Sequence, residues 1–287
     1  MKGTYETEAP DAATPATKEA RLLAWLSAQR SIAIGYSGGV DSAYLAAISV
    51  AALGSSNVVA IVGRSASYPE SQWTAARAVA QSIGLAIIEI GTDELNDPRY
   101  AANPLNRCYY CKSELWSRVV PVARQHGASV VADGTNADDL HDHRPGAKAA
   151  QEHGVVSPLA TFGFSKADIR ERSKLLGLPT WQQPSSPCLS SRIPYGTPVT
   201  VGRLRRVEKA EAALRALGIA GDLRVRHFGD VARIELGAVE LARWSSVPYR
   251  ERLEAAVVAA GYGRVELDPR GFRSGSLNES RTTHAAG

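Results

Sequence analysis

Short apolar runs rich in β-branched residues alternate, over the first part of the chain, with longer stretches whose apolar residues recur at helical spacing. That alternation predicts strand–helix units around a parallel sheet. The candidate strands are Ser31 to Tyr36, Val58 to Gly63, Ala86 to Ile90, Ser129 to Asp133 and Val155 to Ser157. Candidate helices lie near Ser42 to Leu53, Pro69 to Ile83, Cys111 to His126 and Lys166 to Leu176. Sheets of this kind bind ligands at the carboxyl ends of their strands, and polar clusters follow those ends here.

The pattern changes in "PTWQQPSSPCLSSRIPYGTPVT", where five prolines between Pro179 and Pro198 exclude a continuous helix. Beyond it, an amphipathic helix near Val201 to Leu217, two strands in "LRVRHFGDVARIEL" turning at Gly229 and Asp230, and a helix near Pro248 to Ala260 predict a small α+β domain. The expected organisation is a flexible tail over 1–18, an α/β domain over 19–195, the α+β domain over 196–272 and a disordered tail over 273–287.

Composition narrows the classes. With 287 residues, 44% of them hydrophobic, the chain can bury a large core and a smaller one. No apolar run approaches the ~20 residues of a spanning helix, and the start lacks the charged head and apolar core of a secretory signal. A cytoplasmic protein without a membrane partner is expected. The net charge of +4 suits an anionic ligand, yet Lys and Arg are scattered, which favours a nucleotide over a nucleic acid. Three cysteines in such a chain argue for reduced thiols with a chemical role rather than a disulfide framework.

Candidate chemistry begins at "GYSGGVDS", Gly35 to Ser42, between a strand and a helix. Gly38 and Gly39 let backbone N–H groups approach an anion, the helix adds its positive end, Ser37 and Ser42 offer hydroxyls, and Asp41 could hold a metal bound to phosphates. Neither a Walker loop nor the dinucleotide fingerprint fits this spacing; a purely structural glycine turn is the competing reading. A second cluster, "VADGTNADDLHDHRPG", offers Gly134 for close backbone approach and Asp138, Asp139 and Asp142 ahead of Arg144, against the alternative of a solvated turn. His141 and His143 read as surface residues.

Cys108 and Cys111 stand in "NRCYYCKSELW" and Cys188 in "SSPCLSSR". Closed zinc sites take four ligands, so three cysteines suit a [4Fe-4S] cluster with one open iron better. A redox pair and incidental structural thiols remain as alternatives.

The SGGVDS stretch resembles the PP-loop of ATP-pyrophosphatases. That resemblance implies a Rossmann-like parallel sheet of the PP-loop type over 19–195, with ATP and Mg2+ as cofactors and adenylation of a carbonyl oxygen as the first step. Together with "DGTNADDLHDHRPG", "CLSSRIPYGTPVT" and "LRVRHFGDVARIEL", in matching order over roughly 20–270, the chain resembles the LarE family of ATP-dependent sulfurtransferases. The resemblance implies pyridinium-3,5-biscarboxylic acid mononucleotide as substrate, a dithio product used for the nickel-pincer nucleotide of lactate racemase, and a homohexamer. It assigns sulfur delivery to Cys188, substrate-phosphate binding to Ser191, Arg224 and Arg226, and a place near the reaction centre, as a metal ligand, to Glu235. Cys108 and Cys111 depart from the single-cysteine members, in which the cysteine is sacrificed and becomes dehydroalanine. Three-cysteine members are similar to cluster-dependent tRNA thiolases, in which the cluster supplies the sulfur, so the resemblance implies cluster-bound sulfide as the donor and a sulfide source as partner. The nearest alternatives are a PP-loop tRNA thiolase, an amidating synthetase, and a non-catalytic ATP-binding module.

Overall fold

The computed structural model describes residues 13–141, 145–184 and 186–273. Asp142, His143 and Arg144, the side chain of His141, and most of both expected tails lie outside the described residues. Strands β1 (Ile32–Gly35), β2 (Val58–Arg64), β3 (Ala86–Gly91) and β4 (Val130–Ala132) pair in parallel in the order β3-β2-β1-β4. Side-chain alternation along β1 divides the core between two faces. Ile32 and Ile34 pack with Leu22, Leu45 and Ile169, while Ala33 packs with Trp116, Val119 and Ala149. The first set comes from α1 (Pro15–Ser27), α2 (Val40–Leu53) and α8 (Lys166–Leu175), joined there by α3 (Glu70–Ser82). The second comes from α5 (Arg107–Gln125) and α6 (Pro145–Glu152), and the short α4 (Pro98–Ala101) and α7 (Pro158–Thr161) complete this part. The parallel α/β sheet read from the apolar pattern is therefore present, with helices on both faces.

Several boundaries differ from expectation. Val155 to Ser157 makes only one parallel bridge, Ala132 to Val156, because Pro158 follows and starts α7 instead of extending a ladder. The first helix starts inside the expected tail, at Pro15, capped by the Thr14 hydroxyl. Helix α5 begins at Arg107 rather than Cys111, so Cys108 lies in its first turn.

Helix α9 (Val201–Ala216) leads into β5 (Leu223–Phe228) and β6 (Val231–Leu236), an antiparallel pair turning at Gly229 and Asp230. Helices α10 (Ala238–Trp244) and α11 (Tyr249–Ala259) follow, and β7 (Arg264–Leu267), which the apolar pattern did not predict, pairs parallel to β6. Leu223, Val225, Ile234 and Leu236 face Leu214, Trp244, Leu253 and Val257. The opposite face carries Arg224, Arg226 and Glu235, all buried against the rest of the chain.

Candidate active site

The loop between β1 and α2 owes its path to glycine. Gly38 has φ +71°, and a Cβ there would stand 2.3 Å from the Cβ of Ala76 on α3. Gly39 caps α2 without any side-chain hydrogen bond, which leaves the first N–H groups of the helix to a ligand. The Ser42 hydroxyl donates to the Gly39 carbonyl at 3.1 Å and lies 3.2 Å from the Ser37 hydroxyl. Tyr68 Oη (3.0 Å) and Gln72 Nε2 (2.9 Å) both donate to the Ser37 carbonyl, fixing the loop from α3 and the segment just before it. Gly134 seats the second loop directly on the first, since a Cβ at that position would lie 2.9 Å from the Ser42 nitrogen.

Asp41 stands in the first turn of α2, with Oδ2 at 2.6 Å from Lys166 Nζ. Its Oδ1 is buried without a hydrogen-bond partner among the described residues. The Lys166 backbone N–H donates to Asp138 Oδ2 at 2.7 Å, so the start of α8 links both acidic loops. Other acids of the second loop shape it. Asp133 accepts from the Thr135 N–H and hydroxyl and from the Ser157 hydroxyl, and Asp139 exchanges hydrogen bonds with Asn136.

Cys188 precedes a short turn, Leu189–Arg192, clamped from several sides. Leu189 N–H donates to the Ser67 carbonyl at 2.9 Å, and the Ser186 hydroxyl donates to Gln72 Oε1 at 3.1 Å. Gln72 thereby touches the phosphate loop and the cysteine loop at once. The Ser190 hydroxyl is 2.6 Å from that of Tyr100, Arg107 Nη1 donates to the Ser190 carbonyl, and Asn103 Nδ2 donates to the Ile193, Pro194 and Thr197 carbonyls. Arg192, 2% exposed, donates to the Pro187 and Cys188 carbonyls and the Ser191 hydroxyl. Its Nε and Nη2 grip both oxygens of Glu211 on α9, and Glu211 also accepts the Val225 N–H of β5. The cysteine loop is thus tied to both parts of the chain.

Arg107 brings the first turn of α5, with Cys108, against this loop, and Cys111 packs beside Leu189 and Tyr100. Desolvation by the surrounding chain, then the nearby Cys188, pushes the Cys108 thiol up although the residue keeps an exposed face; burial, then buried Glu94 and Cys188, pushes Cys111 up. The three thiols are electrostatic neighbours. Yet among the described residues no three His, Cys, Asp or Glu side chains converge to hold a metal ion. The expected [4Fe-4S] cluster thus finds no converged ligand set among the described residues.

From the other side, Arg226 Nη1 donates to the Ser191 carbonyl at 2.9 Å, while its Nε and Nη2 donate to Glu235 Oε2 at 3.1 and 2.8 Å. Glu235, expected near the reaction centre, meets the Arg226 guanidinium here. Burial, then the Arg192 charge, pushes Arg224 down to about 10, so three guanidinium groups crowd a little-hydrated place that favours an anion. Gln72, Asn103, Arg107, Lys166 and Glu211 were not singled out from the sequence. Each is a lone polar residue within a helix or turn, and only the fold gives it a partner.

The NAD synthase family pattern matches residues 25–100, the segment that holds the phosphate loop. "Uncharacterized protein slr1717" of Synechocystis is 45% identical over 249 residues, covering 87% of this chain and 92% of its own length. The pyridinium-3,5-bisthiocarboxylic acid mononucleotide synthase of Lactiplantibacillus plantarum is 35% identical over 270 residues, covering 94% and 97%. "Uncharacterized protein MJ0830" of Methanocaldococcus jannaschii is 30% identical over 211 residues, covering 72% and 78%. Likeness to the Lactiplantibacillus synthase over nearly the whole of both chains extends the phosphate-loop match through the cysteine loop and the arginine strand. This chain belongs to the pyridinium-3,5-bisthiocarboxylic acid mononucleotide synthase (LarE) family, as an ATP-using sulfurtransferase.

Proposed function

We propose that the protein converts carboxylates of pyridinium-3,5-biscarboxylic acid mononucleotide into thiocarboxylates at the expense of ATP, supplying the nickel-pincer nucleotide of lactate racemase. Residues 19–195 bind ATP and carry the sulfur thiol, and 196–272, together with Ser191, grip the substrate phosphate. A substrate carboxylate oxygen attacks the α-phosphorus, pyrophosphate leaves, and the Cys188 thiolate displaces AMP from the acyl carbon. Loss of the Cα proton to a base and cleavage of the Cβ–Sγ bond then release the thiocarboxylate and leave dehydroalanine, whereas sulfide from a separate source gives the thiocarboxylate directly and spares Cys188. Ser37, Gly38, Gly39 and Ser42 hold the phosphates with the N–H groups that open α2. Asp41, whose Oδ1 lacks a partner among the described residues, suits a Mg2+ ion, which supplies charge neutralisation to the phosphates when bound. Ser191, Arg224 and Arg226 take the substrate phosphate, Glu235 orients Arg226, and Cys188 delivers sulfur.

The observation that carries this reading is the seating of Cys188. Gln72 ties its loop to the phosphate loop, and Arg192 and Arg226 tie it to the arginine strand. Adenylated carbon, sulfur and phosphate grip then share one place. The test is pyrophosphate release that requires the pyridinium dicarboxylate nucleotide, with the thiocarboxylate identified by mass. Release with ammonia and no sulfur incorporation would point to amide synthesis, and protection of tRNA at physiological salt would point to a thiolase.

A second reading gives Cys108, Cys111 and Cys188 a [4Fe-4S] cluster as sulfide source. Their electrostatic proximity favours it, and the lack of a converged ligand set among the described residues weighs against it. Iron and acid-labile sulfide after anaerobic purification decide between a recharged sulfur source and a Cys188 consumed once. Light scattering tests the homohexamer.

A further inference from the structure

The Asp41–Lys166 contact joins the helix start that receives ATP phosphates to the start of α8, and it is oddly incomplete for a structural ion pair. One carboxylate oxygen meets the ammonium at 2.6 Å, whereas the other is buried without a partner among the described residues. Both side chains keep partial exposure, 35% for Lys166 and 22% for Asp41. Neighbouring acids are engaged elsewhere: Asp168 pairs with Lys18 at 2.7 Å and with the Ser165 cap, and Asp138 accepts the Lys166 backbone N–H. A pair of this exposure contributes little to stability and yields readily to a stronger cation. We propose that Lys166 is a removable counter-ion: its ammonium holds Asp41 in the nucleotide-free protein, leaves when a divalent cation binds that carboxylate, and turns to the ATP phosphates.

The inference rests on the ATP-binding reading and adds to it a residue with two positions. The Asp138 hydrogen bond anchors the Lys166 backbone in both, so only the flexible stem has to rotate. Bound to Asp41, the ammonium neutralises a carboxylate that would otherwise sit half-buried. Released, it supplies positive charge beside the α2 N–H groups, where negative charge grows as pyrophosphate leaves.

The test titrates Mn2+ into the nucleotide-free full chain and follows the free ion by electron paramagnetic resonance. Lys166→Met is expected to bind Mn2+ about fivefold more tightly than the parent, the gain for removing a partly exposed competing charge. Lys166→Arg keeps the charge and the parent affinity. Lys166→Gln repeats the gain should the Met variant fold poorly, and Lys18→Met, which removes another α8 pair, changes nothing. The gain disappears when Asp41→Asn is added. With ATP and the pyridinium dicarboxylate nucleotide, Lys166→Met releases pyrophosphate more slowly despite its tighter metal, opposite signs that general loosening of the site does not produce. Unchanged Mn2+ affinity in the uncharged variants, a gain that survives Asp41→Asn, or pyrophosphate release as fast as the parent's overturns the proposal. A parent that releases no pyrophosphate defeats the adenylation reading, while the Mn2+ titration still decides the role of Lys166.

Discussion

Cys188 is set by its neighbours' carbonyl groups more than by its own contacts. Arg192 spends one guanidinium nitrogen on Pro187, Cys188 and Ser191 and the other two on Glu211. A lysine cannot reproduce that planar fork. Arg192→Lys is expected to cost about 3 kcal/mol or more in urea unfolding, the range for breaking a buried ion pair, and to slow sulfur transfer more than pyrophosphate release. Cys188→Ala separates the two half-reactions more sharply: substrate-dependent pyrophosphate release persists, and the thiocarboxylate product falls below detection by mass spectrometry. Loss of both activities together would place Cys188 in adenylation instead.

At the scale of elements, α1 is pinned to the sheet layer by one carboxylate. Glu19 accepts from Arg172 on α8 and from Tyr44 on α2. Burial alone would raise its pKa, but the Arg172 and Tyr44 hydrogen bonds outweigh burial and hold it below the ordinary 4.5. Asp168, held by Lys18 and the Ser165 cap against the same burial cost, is lowered as well. A depressed carboxylate contributes stability that is complete above its unfolded pKa and is lost as pH falls through the folded value. Urea midpoints are therefore expected to hold from neutrality to about 4.5 and to drop below it, with amide exchange in α1 accelerating first. Glu19→Gln lowers the neutral-pH midpoint and flattens the acid slope; an unchanged slope would assign acid sensitivity elsewhere.

At the scale of the molecule, the small C-terminal sheet and α9 are hydrogen-bonded to the cysteine loop and to the start of α3. Arg226 reaches the Ser191 carbonyl from β5, and α9 supplies Glu211 to Arg192 and Glu208 to the first N–H of α3. Substrate grip and sulfur loop should therefore respond to the same changes. Arg226→Ala is expected to raise the KM for the phosphorylated substrate about tenfold or more, the worth of one charge-assisted hydrogen bond, with the KM for ATP nearly unchanged. Equal losses for both substrates would mean that Arg226 serves only the fold.

Local order in the sequence determined much of this. Strand–helix alternation specified a parallel sheet because side-chain period depends on neighbours along the chain, and the SGGVDS glycines announced an anion loop because backbone approach needs no distant partner. Ser37 and Asp41 stood out as candidates because each lies in a compact motif, and Cys188, Arg224 and Arg226 because theirs match the family resemblance. Strand β7 was not, since four residues with two charges form a strand only when β6 offers a free edge. Val155 to Ser157 erred oppositely, an apolar run halted by the proline after it. Gln72, Asn103, Lys166 and Glu211 acquire meaning only through partners far along the chain. The pairing of Glu235 with Arg226, and the spread of three cysteines that stay close without converging, were likewise decided by tertiary packing, because side-chain direction and distance are properties of the folded chain alone.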